Sequence, residues 1–495
     1  MKVLIANPPW VLGGIRAGSR WAHGSDVKDS KSYVVFPSFL ASAATVLHNE
    51  KKHKVKVIDS LAIGHSRKKF FSEVKKFQPD VIVIETSTAS IQNDIEIINK
   101  IKNFNKCKTI FMGPHVISRP EDALDNGIDF CINGEYEYPL RDLINALDKG
   151  KLPKRGISYK VNGKIKTLPR HAPILNINDL PLPAFELFEM DHYNTPFSGA
   201  AQNIDIMTSR GCPFRCTYCL WPQVLYDTRT VRFRNPTSVV DEIEILLNNY
   251  NKKGIYFNDD TFTLNKNHVL GLCKEIKRRK INIKWACFGH VIPINNMPEI
   301  LKPMKDAGCC LIKIGIESGS QKILDNMNKG TTIKKIEEAV KLIKKSGIKV
   351  HGSFVFGLPG ETKETAKQTI AFAKKLKLHS LVFSIATPYP GTAFFNTVSK
   401  NKWLKTKDWS HYDGECNAVA RTATLSTNEI EKIFEYANAN YVLNLIKNPA
   451  YILSFLKNAY ISNGFLGFIE VSTNRIPWYI KKIQKNFSTK RFVEQ

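Results

Sequence analysis

Along the first third of the chain, short apolar runs alternate with stretches of helical periodicity. "KVLIANPP" (2–9), "HKVKVIDS" (53–60), "PDVIVIETST" (79–88), "KTIFMGPH" (108–115) and "DFCINGEYE" (129–137) read as five strands, and "PSFLASAATVLHNEKK" (37–52) as the first helix. Runs rich in Val and Ile and apolar on both faces predict parallel strands covered by helices on both sides. The expectation is an α/β, doubly wound (Rossmann-like) domain over residues 1–140. In such a sheet ligands bind at the carboxyl ends of the strands. Those ends carry Asn7 to Pro9, Thr86 to Ser90, Gly113 to His115 and Gly134 to Glu137. Turns that need glycine and helix caps that need Ser or Thr explain each one separately; all of them together predict a binding crevice.

Residues 141–200 are expected to connect two domains, with an Asn-Gly hairpin signal in "KVNGKIK" and then the proline- and aromatic-rich "NDLPLPAFELFEMDHY". Over 201–400 six further strand-like runs follow: "NIDIMTSRG", "GIYFNDDTF", "IKWACFG", "CCLIKIGIESG", "IKVHGSFVFGLPGET" and "SLVFSIATPYPGT". Helical patterns between them predict a partial (β/α)6 barrel of the TIM type, whose chemistry sits at the carboxyl ends of its strands. Residues 401–495 read as a helical, basic and aromatic region. Tyr451, Ile452, Phe455 and Leu456 repeat at helical spacing, with Trp478 and Tyr479 beyond; such a face either packs on the barrel or lies at a membrane interface.

Composition narrows the class. The 43% hydrophobic and 24% charged shares over 495 residues are those of a multidomain globular protein. No run approaches the ~18 apolar residues of a membrane span, and "MKVLIANPPW" lacks the features of a secretory signal, so a cytoplasmic protein is expected. The net charge of +27 is spread in pairs such as Lys51-Lys52 and Lys344-Lys345. A solvated surface explains that pattern best, attraction to an anionic membrane remains open, and nucleic acid is not an expected partner.

Three of the ten cysteines stand in "RGCPFRCTYC", at Cys212, Cys216 and Cys219. Thiolates suit zinc or an iron–sulfur cluster, and structural zinc demands four ligands. No further Cys or His follows before His268. A four-iron cluster on three cysteines instead leaves one iron open to a small molecule.

The C-x3-C-x2-C spacing, on the loop after the first barrel strand and with Tyr218 in the aromatic place, resembles the radical S-adenosylmethionine (SAM) superfamily. The resemblance implies a 4Fe-4S cluster on the three cysteines, SAM on the open iron, and reductive cleavage to a 5′-deoxyadenosyl radical. A donor such as ferredoxin or flavodoxin is the implied electron source. It also implies SAM contacts from Tyr218, from Asp259 and Asp260 toward the amino group, from Glu317 and Ser318 toward the ribose, and from Ser353 and Gly357. His290 stands where relatives often carry Arg.

The first domain ahead of such a barrel resembles the cobalamin-binding class of this superfamily, over roughly residues 1–400. Many cobalamin domains place D-x-H-x-x-G after the first strand; here that place reads "NPPWVLGG", and "DSLAIG" (59–64) has the spacing with Leu61 in the histidine slot but follows the second strand. The implied cobalamin is base-off, without a lower His ligand, and held by Ser87, Thr88, Gly113, His115, Gly134 and Glu135. His115 reads as a crevice residue, with cobalt ligation as the alternative, and a domain that has lost its cobalamin is the other reading.

The implied activity is methylation or ring formation at an unactivated carbon. "CTYCLWPQ" and "RFRNPTSVVDEIE" are similar to the branch associated with hopanoid and archaeal membrane-lipid modification, which implies a hydrophobic or lipid substrate and peripheral membrane contact. The alternatives are C-methylation of a soluble small molecule or peptide, and a non-catalytic cobalamin and iron–sulfur sensor. A tRNA-modifying enzyme would carry a second N-terminal cysteine set, whereas only Cys107 and Cys131 precede the motif. Cys273, Cys287, Cys309, Cys310 and Cys416 read as small buried hydrophobes, with Cys416 as an alternative hydrogen donor to a substrate radical.

Overall fold

The computed structural model describes residues 1–10, 16–17, 21–22, 34–195, 202–414 and 417–446. Seven strands form the first sheet: β1 (Lys2–Asn7), β2 (Lys54–Asp59), β3 (Val81–Glu85), β4 (Lys108–Met112), β5 (Phe130–Ile132), β6 (Ile157–Val161) and β7 (Lys164–Thr167), in the order β2-β1-β3-β4-β5-β6-β7. The first five are parallel. Residues Val81 to Glu85 are all buried, as a strand with helices on both faces requires. The order 2-1-3-4-5 reverses between β1 and β3, which is where such a sheet opens a ligand crevice.

The Asn-Gly signal makes a two-residue turn, with φ of 48° at Asn162 and 77° at Gly163. Its hairpin, β6 and β7, adds to the first sheet antiparallel to β5. The stretch expected as a connector from residue 141 therefore contributes two strands to the first sheet before the true linker begins. That linker packs through aromatics: Phe36 meets Phe188 and Tyr193 at 5.1 Å each. Lys252 then donates from Nζ to the carbonyls of Met190 and Tyr193.

The second sheet holds β8 (Asn203–Ile206), β9 (Gly254–Phe257), β10 (Lys284–Gly289), β11 (Cys309–Glu317), β12 (Lys349–Phe356) and β13 (Ser380–Ile385), all parallel and paired in chain order. All six expected strands are present, and the sheet is open between β8 and β13, as a partial barrel is. Strand alternation divides their side chains. Ile255, Phe257, Trp285, Cys287, Ile312 and Ile314 join the main core under the helices, whereas Tyr256, Ala286, Leu311, Phe288 and Cys310 form a separate apolar cluster on the other face.

After the barrel the chain returns to the first domain, where Trp409 packs its ring edge-on against His115, centroids 5.2 Å apart. The helix Thr427–Ile446 lies against β13, with Tyr441 accepting the Leu381 N–H at 3.2 Å. Cys416 and the aromatic face from Tyr451 to Tyr479 lie outside the described residues. Among the described residues no helix is long and apolar enough to cross a membrane.

Candidate functional site

The cysteine loop starts where β8 ends, and buried groups from neighbouring strands hold its entry. Asp259, 1% exposed, accepts the Thr208 N–H at 2.6 Å, the Thr208 hydroxyl at 2.6 Å and the Ser209 hydroxyl at 2.8 Å. Its carboxylate thereby shapes the loop. Asp260, beside it, accepts the Gly211 N–H at 3.0 Å. Gly211 sits at φ +106°, and an added Cβ would lie 2.4 Å from the Thr230 carbonyl oxygen; only glycine fits that close passage.

Beyond Gly211 the three thiols come together. Burial raises the pKa of each, Cys212 to about 11, and the charges of Cys212 and Cys216 both act on Cys219. Among the described residues no three His, Cys, Asp or Glu side chains converge where one metal ion would sit. A four-iron cluster has no such need, because each thiolate takes a different iron. Thr217 donates its N–H to the Met327 carbonyl at 2.9 Å. The Gln223 amide donates to the Cys216 and Thr217 carbonyls at 3.3 and 3.2 Å, and its Oε1 accepts the Ala393 N–H at 2.9 Å.

The expected SAM residues divide into two groups. The Tyr218 hydroxyl donates to Glu317 Oε1 at 2.9 Å, and Lys329 Nζ donates to the same oxygen at 2.9 Å. Glu317 lies at the end of β11 with φ +67°. Gly357, at φ +87°, follows β12 and donates its N–H to Glu361, while Ser353 lies on β12, half-buried. Ser318 is fully buried, exchanging a hydrogen bond with the Thr369 hydroxyl at 3.0 Å and accepting the Ser320 N–H. It braces a turn. His290 stacks on Phe214 of the cysteine loop, centroids 3.6 Å apart, and its Nδ1 accepts the Ile292 N–H. Its Nε2 is buried without a partner, and burial keeps the ring neutral.

At the crevice of the first sheet, Ser87 and Ser90 share a hydrogen bond at 3.0 Å, and Thr88 Oγ1 meets His115 Nδ1 at 3.2 Å. His115 Nε2 meets Asp122 at 3.1 Å. Burial pushes the Asp122 carboxyl up, but hydrogen bonds from His115 and Arg119 overcome it and hold the pKa at about 2. Both ring nitrogens of His115 are thus occupied. Gly113 and Gly134 have φ of 137° and 123°. Asn7, fully buried at the end of β1, has neither amide atom hydrogen-bonded, an arrangement costly enough to mark a missing partner.

Glu135 pairs with Arg210 at 3.1 Å and Arg232 at 2.6 Å and accepts the Ile174 N–H at 3.1 Å. Lys329 and Gln223 escaped the sequence reading because neither belongs to a spaced motif. Asn7 stood inside a strand-end segment already singled out, without any sign that its amide would be left unpaired.

Residues 206–373 match the radical SAM superfamily, and residues 26–144 match the B12 binding domain. An uncharacterised methyltransferase of Pyrococcus horikoshii is 35% identical over 412 residues, 82% of this chain and 88% of the relative. The chain belongs to the cobalamin-binding radical SAM enzymes. As a radical SAM enzyme with a cobalamin domain it uses a 4Fe-4S cluster, SAM and cobalamin, and enzymes of this superfamily need an external reductant. The three clustered thiols fit the cluster, and the unpaired Asn7 amide at the sheet's switch point fits a polar ligand such as cobalamin.

The anaerobic magnesium-protoporphyrin IX monomethyl ester cyclase of Rubrivivax gelatinosus is 25% identical over 412 residues, 80% of this chain and 70% of that protein. Among solved structures, OxsB with aqua-cobalamin and SAM bound aligns with a TM-score of 0.71 at 17% identity, over 93% of this chain and 71% of that one. The methyltransferase TsrM of Kitasatospora setae aligns at 0.65 and 20% identity, over 88% of this chain and 85% of that one. At these identities the likeness shows the shared fold.

Proposed function

We propose that this cobalamin-dependent radical SAM enzyme methylates an unactivated carbon of a hydrophobic substrate, with Cys212, Cys216 and Cys219 as the cluster ligands. The observation that carries the reading is the seam in which the cysteine loop and the crevice domain are joined through Arg210, Glu135 and Glu137. Such a joint would hold the two cofactor sites in a fixed relation to one substrate. Bound SAM and the reduced cluster supply a 5′-deoxyadenosyl radical, and cobalamin supplies a methyl group.

The chain's own residues orient and shield. Tyr218, Asp260, Glu317, Ser353 and Gly357 stand around the SAM position, and Ser87, Thr88, Gly113, His115 and Gly134 line the cobalamin crevice, with Asn7 added. His115, held by Thr88 and Asp122, would serve as a fixed polar wall of that crevice. A hydrophobic substrate is favoured by the likeness of "CTYCLWPQ" and "RFRNPTSVVDEIE" to the lipid-modifying branch. The names of several relatives, methyltransferases among them, favour methyl transfer; the cyclase favours ring formation as the second reading.

The test is anaerobic reconstitution with iron, sulfide and hydroxocobalamin, followed by incubation with a reductant, hydrophobic cell extract and SAM deuterated in its methyl group. Deuterium in an extract component, with both S-adenosylhomocysteine and 5′-deoxyadenosine formed and all of it lost in Cys216→Ala, is the expected result. 5′-Deoxyadenosine without S-adenosylhomocysteine would select ring formation, and absence of both would refute the enzyme reading.

A further inference from the structure

Lys329 places a buried ammonium beside the cysteine loop. Its Nζ lies 2.9 Å from Glu317 Oε1, with the two side chains 5% and 7% exposed. Tyr218, between the second and third cysteines, donates to the same carboxylate oxygen. The Thr217 N–H on the Met327 carbonyl fixes the segment carrying Lys329 against the loop. Gly315 leaves room for the pair: a Cβ there would lie 2.2 Å from Glu317 Oε1 and 3.0 Å from Lys329 Nζ. After burial, the Lys329 charge is the largest influence on the Cys216 thiol, ahead of the opposing influence of Glu317, and Lys329 is in turn held charged by Glu317 and by the Cys216 and Cys212 thiolates. At Cys216 the cation's influence exceeds the anion's.

A cluster on three thiolates is an anion in a low-dielectric pocket, and reduction adds one unit of negative charge. A fixed cation nearby favours that step and a fixed anion opposes it. We propose that Lys329 and Glu317 together set the reduction potential of the cluster, the ammonium raising it and the carboxylate lowering it. One electron enters from a low-potential one-electron donor; no bond breaks and no proton moves in this step. The inference rests on the three cysteines holding the cluster, as proposed above.

The experiment is a redox titration of the reconstituted protein without SAM, followed by the electron paramagnetic resonance signal of the reduced cluster, after iron and sulfide have been counted. Lys329→Met is expected to lower the midpoint by at least a tenfold change in the reduction equilibrium, about 59 mV for one electron. Glu317→Gln is expected to raise it, and Lys329→Arg to stay near the parent protein. Opposite shifts are a signature that loosened packing does not produce. Midpoints that coincide with the parent's, or that move the same way in both variants, overturn the inference while leaving the cluster assignment standing. Should Lys329→Met take up no cluster, the rise in Glu317→Gln carries the test, and its absence overturns the inference. A parent protein that takes up no four-iron cluster would instead refute the proposed ligands.

Discussion

Arg210 Nη2 lies 2.6 Å from Glu137 Oε1, so the residue two before the first cysteine of the cluster loop is anchored in the other domain. Its Nη1 reaches Glu135, which also holds Arg232. Phe39 lies against the Arg210 guanidinium at 4.7 Å, and Tyr226 against that of Arg232 at 5.1 Å. All four charges are buried. Loop and crevice therefore cannot shift independently without breaking charge-assisted hydrogen bonds in a low-dielectric seam.

Removing one member exposes that dependence. Arg210→Met leaves Glu135 and Glu137 short of compensation and is expected to cost about 3–5 kcal/mol of stability, measured by anaerobic denaturation. Arg210→Lys keeps the charge but loses the two-pronged geometry, so its loss is expected to be smaller.

Gly211→Ala tests the entry to the loop. The positive φ of Gly211 and the 2.4 Å approach of an added Cβ to the Thr230 oxygen force the backbone to move. Iron retained after reconstitution is expected to fall severalfold, while cobalamin retained by the first domain stays at the parent level.

Asn7→Leu separates ligand binding from folding. Replacing a buried amide that has no partner with an apolar side chain is expected to leave thermal stability equal or higher. Cobalamin affinity, followed by its visible absorbance on titration, is expected to fall at least about tenfold, the equivalent of one charge-assisted or well-formed hydrogen bond. Unchanged affinity would remove Asn7 from the crevice.

Glu361 predicts a pH dependence. Fully buried, with one carboxyl oxygen unpartnered and the other accepting the Gly357 N–H, it has its pKa raised by burial from 4.5 to about 8. The folded protein holds this proton where the unfolded chain has released it, so the stability it contributes is full below pH 4.5 and is lost as the pH rises through about 8. Glu361→Gln keeps an acceptor for Gly357 and removes the titration. Its denaturation midpoint is expected to decline less than the parent's between pH 6 and 9.

Much of this architecture was legible in the chain. The Val- and Ile-rich runs predicted all eleven parallel strands of the two sheets, because burial on both faces leaves a continuous apolar signature that needs no knowledge of partners. The Asn-Gly hairpin was legible as a turn, but its membership of the first sheet was not: β6 meets β5 across a helix and a loop, and nothing local records which edge is free. The three cysteines were legible as a unit because their spacing confines them to a single loop.

The sequence by itself determined the two α/β units, the thiol triplet and the chemistry it implies, all of which arise from short-range periodicity and spacing. Tertiary structure alone decided how the buried polar and charged side chains are used: Asp259 shaping the loop, Ser318 bracing a turn, Glu135 locked to two arginines, and Lys329 paired with Glu317 beside the cysteines. The physical reason is that a buried charge takes whichever opposite charge or donor the packed chain brings within about 3 Å. That choice is made between residues as far apart as 135 and 232, whose sequence neighbourhoods carry no trace of each other.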